Sequence, residues 1–246
     1  MITGLYSAAT AMDASTKRHE VASENLANIQ MPGYRRRMIS QTTFDSLMPP
    51  LQQSTDGVYS SKLLGTATLP VSYDFTQGHF DDTGRPLDLA LGGEGFFTVQ
   101  GPDGPLYTRN GSFHVDANRQ LTTIDLLPVM GVAGPITLPA DATTENITIS
   151  SDGRLSANGQ EFGQLELVEF ADNSVLTPAG SSLFSGTGDA APISSDVQVL
   201  QKKLELANTS SIDEMIHLIQ GSRHFEAAQK AFNTIAEAVQ RRIGLR

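Results

Sequence analysis

The side chains that could do chemistry in this 246-residue chain are five histidines and an excess of carboxylates, and there is no cysteine. The absence of cysteine excludes thiolate catalysis, disulfides and zinc–thiolate sites. The histidines are His19, His79, His114, His217 and His224, and they have no spacing typical of metal ligands. His79 with Asp81 and Asp82 comes nearest to a metal site, but flanking glycines favour a solvated turn. The sequence therefore predicts no metal and no cofactor.

Three other kinds of catalytic site have little support. There is no G-x-S-x-G elbow, and Gly92-Gly93-Glu94-Gly95 lacks the Lys-Ser/Thr of a phosphate loop and precedes a strand. Paired carboxylates for glycoside hydrolysis are arithmetically possible, but that chemistry also needs aromatic sugar platforms, and tryptophan is absent. We predict that the protein is not an enzyme. A periplasmic glycan-cleaving enzyme is the alternative from a different functional class.

Charge is distributed unevenly along the chain. The net charge is −10, but residues 74–200 hold 17 acidic and 4 basic side chains, whereas residues 1–73 and 201–246 are net +1 and +2. An acidic protein lacks the basic face that nucleic acid or anionic lipid requires, so neither is an expected partner. The change in charge also marks boundaries near residues 74 and 200.

The N-terminal segment has the heptad spacing of a packed helix. Its seam consists of Leu5, Met12, His19 and Leu26, accompanied by Ala8, Ser15, Ala22 and Ile29. Pro32-Gly33 is expected to stop the helix soon after Ile29. Charged residues interrupt any apolar run, so this segment is neither a secretory signal nor a membrane span.

The C-terminal segment repeats the pattern and predicts a helix over about 211–243. Its seam consists of Leu218, Phe225, Phe232 and Val239, accompanied by Gly221, Ala228 and Ile235, and widened at its start by Ile212, Met215, Ile216 and Ile219. Ser211 and Glu214 match a capping box. Small residues make either seam a weak source of stability, so the two helices are expected to order largely through assembly with other subunits, with an ordinary intramolecular pair as the alternative.

The middle segment has the rhythm of short strands and turns. Gly101-Pro102-Asp103-Gly104, Asn110-Gly111, Asp116-Ala117-Asn118, Asp152-Gly153 and Asn158-Gly159 each predict a turn between strands. This spacing predicts an antiparallel β domain. Residues 34–73 and 173–200 lack strong periodicity and indicate extended connectors or edge strands. In the first of these ranges, Arg35-Arg36-Arg37 is expected to be a solvated loop or, alternatively, a contact with an acidic neighbour.

Several stretches resemble the rod and hook proteins of the bacterial flagellum. Asn25-Leu26-Ala27-Asn28 followed by Pro32-Gly33-Tyr34-Arg35 is similar to the family's N-L-A-N-x-x-T-P-G-[YF]-[KR] motif, with Met31 in place of Thr. Arg85–Leu91 with Gly95–Val99, and Tyr107–Phe113, resemble its central motifs. Leu204-Glu205, Asn208, Met215-Ile216, Arg223, Phe225-Glu226 and Lys230 resemble its C-terminal signature, with Ala207 in place of Ser and Thr209 in place of Val.

The resemblance implies a structural subunit of the basal-body rod, in the periplasmic part of the envelope. It further implies export through the flagellar type III apparatus without a cleaved signal peptide, and helical polymerisation with copies of itself and other rod proteins. Thr83–Asp88 and Gly134–Pro139 are most similar to members of the proximal rod. Members of the distal rod are the alternative. An adhesin-like filament module is a further alternative from another class.

The expected architecture is α+β, with a β-rich middle flanked by terminal helices that pair in a coiled-coil-like, tube-lining domain. The boundaries are an N-terminal helix at 1–33, an extended linker at 34–73, a β-rich domain at 74–200 and a C-terminal helix at 201–246. The residues expected at subunit interfaces are Leu5, Met12, Asn25, Leu26, Asn28, Pro32, Gly33, Leu218, Phe225, Phe232 and Val239.

Overall fold

The computed structural model describes residues 2–43, 66–186, 193–194 and 197–244. The described residues fall into two compact units. The helical unit takes its residues from Met1–Ala27, Arg37–Tyr73 and Ser210–Arg246, and the middle unit takes its residues from Asn28–Arg36 and Asp74–Thr209. Within this described part of the chain, no helix is both long and apolar enough to cross a bilayer.

The helical unit contains two long helices and a β-ribbon. Its elements are α1 (Ile2–Ala27), β1 (Arg37–Thr43), β2 (Thr66–Tyr73) and α2 (Ser211–Gly244). β1 and β2 pair antiparallel, with a bulge between Ile39 and Gln41. Part of the expected linker is therefore a β-ribbon. Residues 44–65 of that linker lie outside the described residues.

The two helices begin and end close to the signals in the sequence. α1 ends at Ala27, a turn before Pro32, because a proline cannot continue a helix. α2 begins at Ser211, and its first hydrogen bond runs from the Glu214 N–H to the Ser210 carbonyl, so that Ser210 is the N-cap and the predicted cap is wrong by one residue. α2 starts ten residues later than position 201 because residues 199–205 form strands.

α1 and α2 contact each other and run antiparallel. A Cβ added to Gly4 would lie 3.4 Å from Ile235 Cδ1, and one added to Gly221 would lie 3.9 Å from His19 Nδ1. The two contacts pair the start of one helix with the end of the other. The buried residues of α1 are mostly small, namely Ala8, Ala14, Ser15, Val21, Ala22 and Asn25. Small side chains allow the two backbones to approach closely.

The middle unit is made of short antiparallel strands, as predicted. They are β3 (Phe80–Asp82), β4 (Leu89–Leu91), β5 (Phe96–Gly101), β6 (Gly104–Thr108), β7 (His114–Val115), β8 (Leu121–Thr122), β9 (Met130–Gly131), β10 (Gly134–Pro135), β11 (Ile147–Ile149), β12 (Arg154–Ala157), β13 (Gln160–Gln164), β14 (Leu167–Glu169), β15 (Leu176–Pro178), β16 (Leu183–Gly186), β17 (Ile193–Ser194), β18 (Val199–Gln201) and β19 (Lys203–Glu205). The largest sheet has the order β15-β16-β6-β5-β14-β17. Two single 3₁₀ turns lie at Thr144–Asn146 and Asn173–Val175.

One continuous apolar core holds the middle unit together. Leu89, Phe97, Val99 and Leu121 are fully buried in it, and Phe97 meets Phe113 edge to face with ring centroids 5.2 Å apart. In β5, Phe96, Phe97, Thr98 and Val99 are all buried, which is the burial of a central strand covered on both faces.

Most of the predicted turns are confirmed, and one is wrong. Gly101 pairs with Gly104 between β5 and β6, and Asn158-Gly159 has two positive φ angles, 52° and 82°, as a type I′ turn requires. Asn110-Gly111, however, does not turn a hairpin, because the Gly111 carbonyl accepts from the Leu89 N–H. A Cβ at Gly111 would overlap the Leu89 carbonyl oxygen, so glycine is needed here for close backbone approach.

Candidate subunit interface

The C-terminal seam lies on one face of α2. Leu218, Phe225, Phe232 and Val239 are half-buried, while the residues between them, apart from their seam companions and Ala236, are exposed. Gly221 and Ile235 of the same face approach α1 at His19 and Gly4. The heptad spacing therefore identified the face of α2 that packs within the helical unit.

The N-terminal seam is buried unequally. Leu5, Met12 and Leu26 are half-buried, whereas their companions Ala8, Ser15 and Ala22 are buried and His19 is exposed. The large apolar side chains of α1 thus stay partly open to solvent. Burial within one chain leaves apolar area of both seams available for a further contact.

A cleft of about 240 Å³ opens along the contact between the helices. It is lined by Ser15, Thr16, His19, Gly221, Ser222 and Phe225. Gly221, which has no side chain, lies opposite His19 in this cleft. Phe225, a predicted interface residue, forms part of its wall.

An exposed apolar stripe lies at the start of α2. It consists of Ile212, Met215, Ile216 and Ile219, which are 45–65% exposed. Their spacing of i, i+3, i+4 and i+7 places all four on one side of the helix. Water-exposed apolar side chains grouped in this way are typical of a surface that another protein covers. The sequence indicated this stripe only as a widening of the seam, and its residues were not among the predicted contacts.

The four residues predicted at the turn after α1 have different surroundings. Asn25 is buried, and its amide spans the backbone of Arg37: Nδ2 donates to the Arg37 carbonyl, and Oδ1 accepts from the Arg37 N–H, both over 2.9 Å. Gly33 is buried with φ of +70°, and a Cβ there would overlap the Asn110 amide nitrogen. Asn28 and Pro32 are half-buried. Asn25 and Gly33 therefore make their contacts inside the chain.

A buried ionic network joins three of the sequence motifs. Arg35 Nη2 donates to Glu205 Oε1 over 2.7 Å, and Arg109 Nη1 donates to Glu205 Oε2 over 3.4 Å. The Gly78 N–H also donates to Oε1, over 2.8 Å. The expectation of a solvated loop is wrong for Arg35, whose side chain is fully buried. No signal in the spacing links residues 170 positions apart, so sequence reasoning missed the network.

The network holds two guanidinium groups against one carboxylate. Burial, and next the neighbouring Arg35 guanidinium, lower the pKa of Arg109 to about 10 although Glu205 opposes the shift. Arg109 also lies over the Phe96 ring, 5.2 Å from its centroid. Because a buried charge is costly unless it is compensated, Glu205 is the centre on which this arrangement depends.

The candidate metal and phosphate positions have structural roles. Asp82 pairs with Lys203 over 2.8 Å, and the His79 carbonyl accepts from the Leu206 N–H. The Gly92 N–H donates to the Gln198 carbonyl at the start of the glycine run. No group of three or more potential metal-ligating side chains occurs among the described residues.

Two protein-family descriptions match separate parts of the chain. "Flagellar hook protein FlgE/F/G D1 domain" matches residues 90–157, which lie in the middle unit. "Flagellar basal body rod FlgEFG protein C-terminal" matches residues 200–243, which contain β19 and most of α2. The second match includes the C-terminal seam, the exposed apolar stripe and Glu205.

Curated relatives match along nearly the whole length. The chain is 33% identical to "Flagellar basal-body rod protein FlgG" of Buchnera aphidicola subsp. Acyrthosiphon pisum over 98% of both chains. It is 31% identical to the Bacillus subtilis protein of the same name over 100% of both chains. It is 32% identical to "Flagellar basal-body rod protein FlgF" of Salmonella typhimurium over 95% of this chain and 94% of that protein.

Proposed function

Since the chain belongs to the family of flagellar basal-body rod proteins and is a structural subunit of the basal-body rod, we propose that copies of it polymerise helically through their terminal helices to form a drive shaft. The observation that carries this proposal is the exposed apolar stripe of α2. A neighbouring subunit that buried the exposed half of the stripe's four side chains would stabilise the contact by about 3–6 kcal/mol, at 1.5–3 kcal/mol for each fully buried side chain.

The proposed pairing of α1 and α2 is coiled-coil-like, with both helices lining the inner tube. Alternating three- and four-residue spacing along the C-terminal seam supports this geometry. Because the buried residues of α1 are small, pairing within one chain stabilises the helices only weakly. Contacts with neighbouring subunits then supply the remaining stabilisation of the helices.

The proposed interface combines the predicted residues with the exposed stripe. It comprises Leu5, Met12, Leu26, Asn28, Pro32, Leu218, Phe225, Phe232 and Val239, together with Ile212, Met215, Ile216 and Ile219. Asn25 and Gly33 take the other part of the predicted role, which is to fix the turn that follows α1. The net −13 of residues 74–200 against net +3 at the two ends adds charge complementarity between stacked copies.

The protein belongs to the flagellar basal body, and we place it in the periplasmic part of that structure. We further propose export through the flagellar type III apparatus without a cleaved signal peptide, assembly with other rod proteins, and no catalytic activity. Thr83–Asp88 and Gly134–Pro139 favour the proximal rod. The distal rod is the alternative.

The proposed domain organisation is one self-sufficient β domain near residues 74–200 between helices that need partners. Limited proteolysis of the purified monomer tests it. Frayed helices are cut first, so a resistant fragment near residues 74–200 is expected, with rapid loss of the terminal helices α1 and α2. Equal protection along the whole chain would contradict ordering by assembly.

Deletion of the gene tests the function itself. Loss of motility with incomplete basal bodies is expected, and restoration by the intact chain. A basal-body reconstruction with this chain traced would then give its position along the rod. Normal flagella in the deletion strain would refute the proposal, and clearing of purified peptidoglycan by the protein would instead support the glycan-cleaving enzyme.

A further inference from the structure

The chain passes between the helical unit and the middle unit at four places. These are the junctions after Ala27, Arg36, Tyr73 and Thr209. On the side of the middle unit, three of these junctions are bordered by Arg36, Asp74 and Thr209. Hydrogen bonds connect the segments that contain these three residues.

The side-chain amide of Asn208 binds two of these junctions at once. Its Oδ1 accepts from the Arg36 N–H over 2.7 Å. Its Nδ2 donates to the Asp74 carbonyl over 2.8 Å and to the Thr76 carbonyl over 3.0 Å. Both donor hydrogens and the acceptor oxygen of the amide are therefore engaged, and Asn208 itself stands beside the third junction.

Backbone and buried ionic bonds complete the cluster. The Asp74 N–H donates to the Arg36 carbonyl over 2.9 Å. Arg36 and Asp74 are therefore bonded to each other as well as to Asn208. The Gly33 N–H donates to the Glu205 carbonyl over 2.7 Å. Arg35 Nη1 donates to the same Thr76 carbonyl that Asn208 binds, over 3.1 Å. Segments that precede α2 and follow α1 are thus tied together.

We propose that Asn208 is a positioning residue for rod assembly, whose amide fixes the points at which the chain leaves the middle unit toward the terminal helices. The core of the middle unit does not include Asn208, so its loss should loosen the junctions without unfolding the β domain. This inference rests on the proposed assembly through the helices. It assigns to one side chain the placement of three junctions.

The chain carries its own probe for the state of the junction. Arg36 and Arg37 stand on either side of the junction after Arg36, and the Arg36–Arg37 bond is a trypsin site on the cluster: the Arg36 carbonyl accepts from the Asp74 N–H, and the Arg36 N–H donates to Asn208. Protection of that bond in the native full-length protein therefore reports on the Asn208 contacts. Cleavage needs local opening only, whereas thermal unfolding reports on the β domain.

The experiment compares full-length Asn208→Ala and Asn208→Asp with Asn118→Ala, whose amide donates to the Asp116 side chain in an exposed turn. Loss of the four hydrogen bonds of the Asn208 amide, the fourth of which is donated to the Thr76 hydroxyl, is expected to raise tryptic cleavage at Arg36–Arg37 by about tenfold or more. Asn208→Asp keeps an acceptor for Arg36 but sets carboxylate oxygen against two carbonyls, so it should behave like Asn208→Ala. The unfolding midpoint of the β domain should stay near that of the wild type.

In the deletion strain, the two Asn208 variants should reach the rod in fewer copies than Asn118→Ala. Unchanged cleavage, or an unfolding midpoint that falls in step with cleavage, would overturn the positioning role, as would wild-type incorporation of both variants. If the intact chain itself fails to restore the rod, the proposed function fails instead, and the cleavage assay still decides the role of Asn208.

Discussion

Arg35 donates to Glu205 over 2.7 Å, with both side chains fully buried, across 170 positions of sequence. This ion pair joins the segment that follows α1 to the strand that precedes α2. Arg109 shares the same carboxylate, so the buried group carries two positive charges and one negative charge. Removal of the single carboxylate therefore has a larger effect than removal of either arginine.

Glu205→Gln is expected to lower the free energy of unfolding of the middle unit by about 3–5 kcal/mol, because it leaves two buried guanidinium groups without the buried carboxylate that pairs with both. Chemical denaturation monitored by circular dichroism measures the change. Glu161→Gln is the matched control: it removes an exposed partner of Arg154 and should leave the free energy of unfolding close to that of the wild type.

The double variant Glu205→Gln/Arg109→Gln should be destabilised by less than the sum of the two single variants, because each single variant already loses the Arg109–Glu205 ion pair and the sum counts that loss twice. The same denaturation series measures it. Additive effects would show that Arg109 and Glu205 do not interact.

The lowered pKa of Arg109 predicts how the stability of the folded protein depends on pH. The Arg109 pKa is lowered from the ordinary value of an arginine to about 10 in the folded protein. The unfolded chain therefore holds more protons than the folded protein between these values, and stability from this residue rises with pH there, by up to about 1.4 kcal/mol per pH unit. Below pH 10 its buried charge is a constant cost.

The stability of the wild type relative to Arg109→Gln should accordingly rise between pH 9 and pH 11. Tyrosine and lysine titrations are common to both proteins and cancel in the difference. A difference that stays flat or falls over this range would show that the pKa of Arg109 is not lowered by burial.

Gly33 and Gly84 form a matched pair for backbone strain. Their φ angles are +70° and +73°, but a Cβ at Gly33 would overlap the Asn110 amide nitrogen, whereas a Cβ at Gly84 has nothing within 4 Å. Gly84→Ala should cost about 1–2 kcal/mol for the left-handed backbone alone. Gly33→Ala adds the overlap and should cost roughly 2–5 kcal/mol. Equal costs in thermal denaturation would contradict the close packing at Gly33.

Ile216 tests the exposed apolar stripe. Ile216→Asp should leave the monomer folded, because its side chain is 45% exposed, but should block incorporation into the rod by placing a charge in the contact. Incorporation is measured as the amount of the chain in purified basal bodies. Ile124→Asp, at a position 72% exposed in the middle unit, is the control and should incorporate normally. Equal incorporation of both variants would remove the stripe from the interface.

The sequence by itself determined the elements whose causes are local. Heptad spacing identified both helices and the face of α2 that packs, because i, i+3 and i+4 neighbours share a face on any helix. Asn158-Gly159 fixed its own turn, since the positive φ angles belong to these two residues. The motif resemblance likewise identified the family.

Tertiary structure decided the contacts that depend on distant backbone. Asn110-Gly111 has the local signature of a hairpin, yet the Leu89 carbonyl oxygen occupies the space beside Gly111. Arg35 was indistinguishable in sequence from its two arginine neighbours. Its burial is favourable because the fold places the Glu205 carboxylate against its guanidinium group. Asn208 stood in a motif without a role until the fold brought Arg36 and Asp74 to its amide. Spacing along the chain determines which residues share an element, whereas packing determines which elements meet.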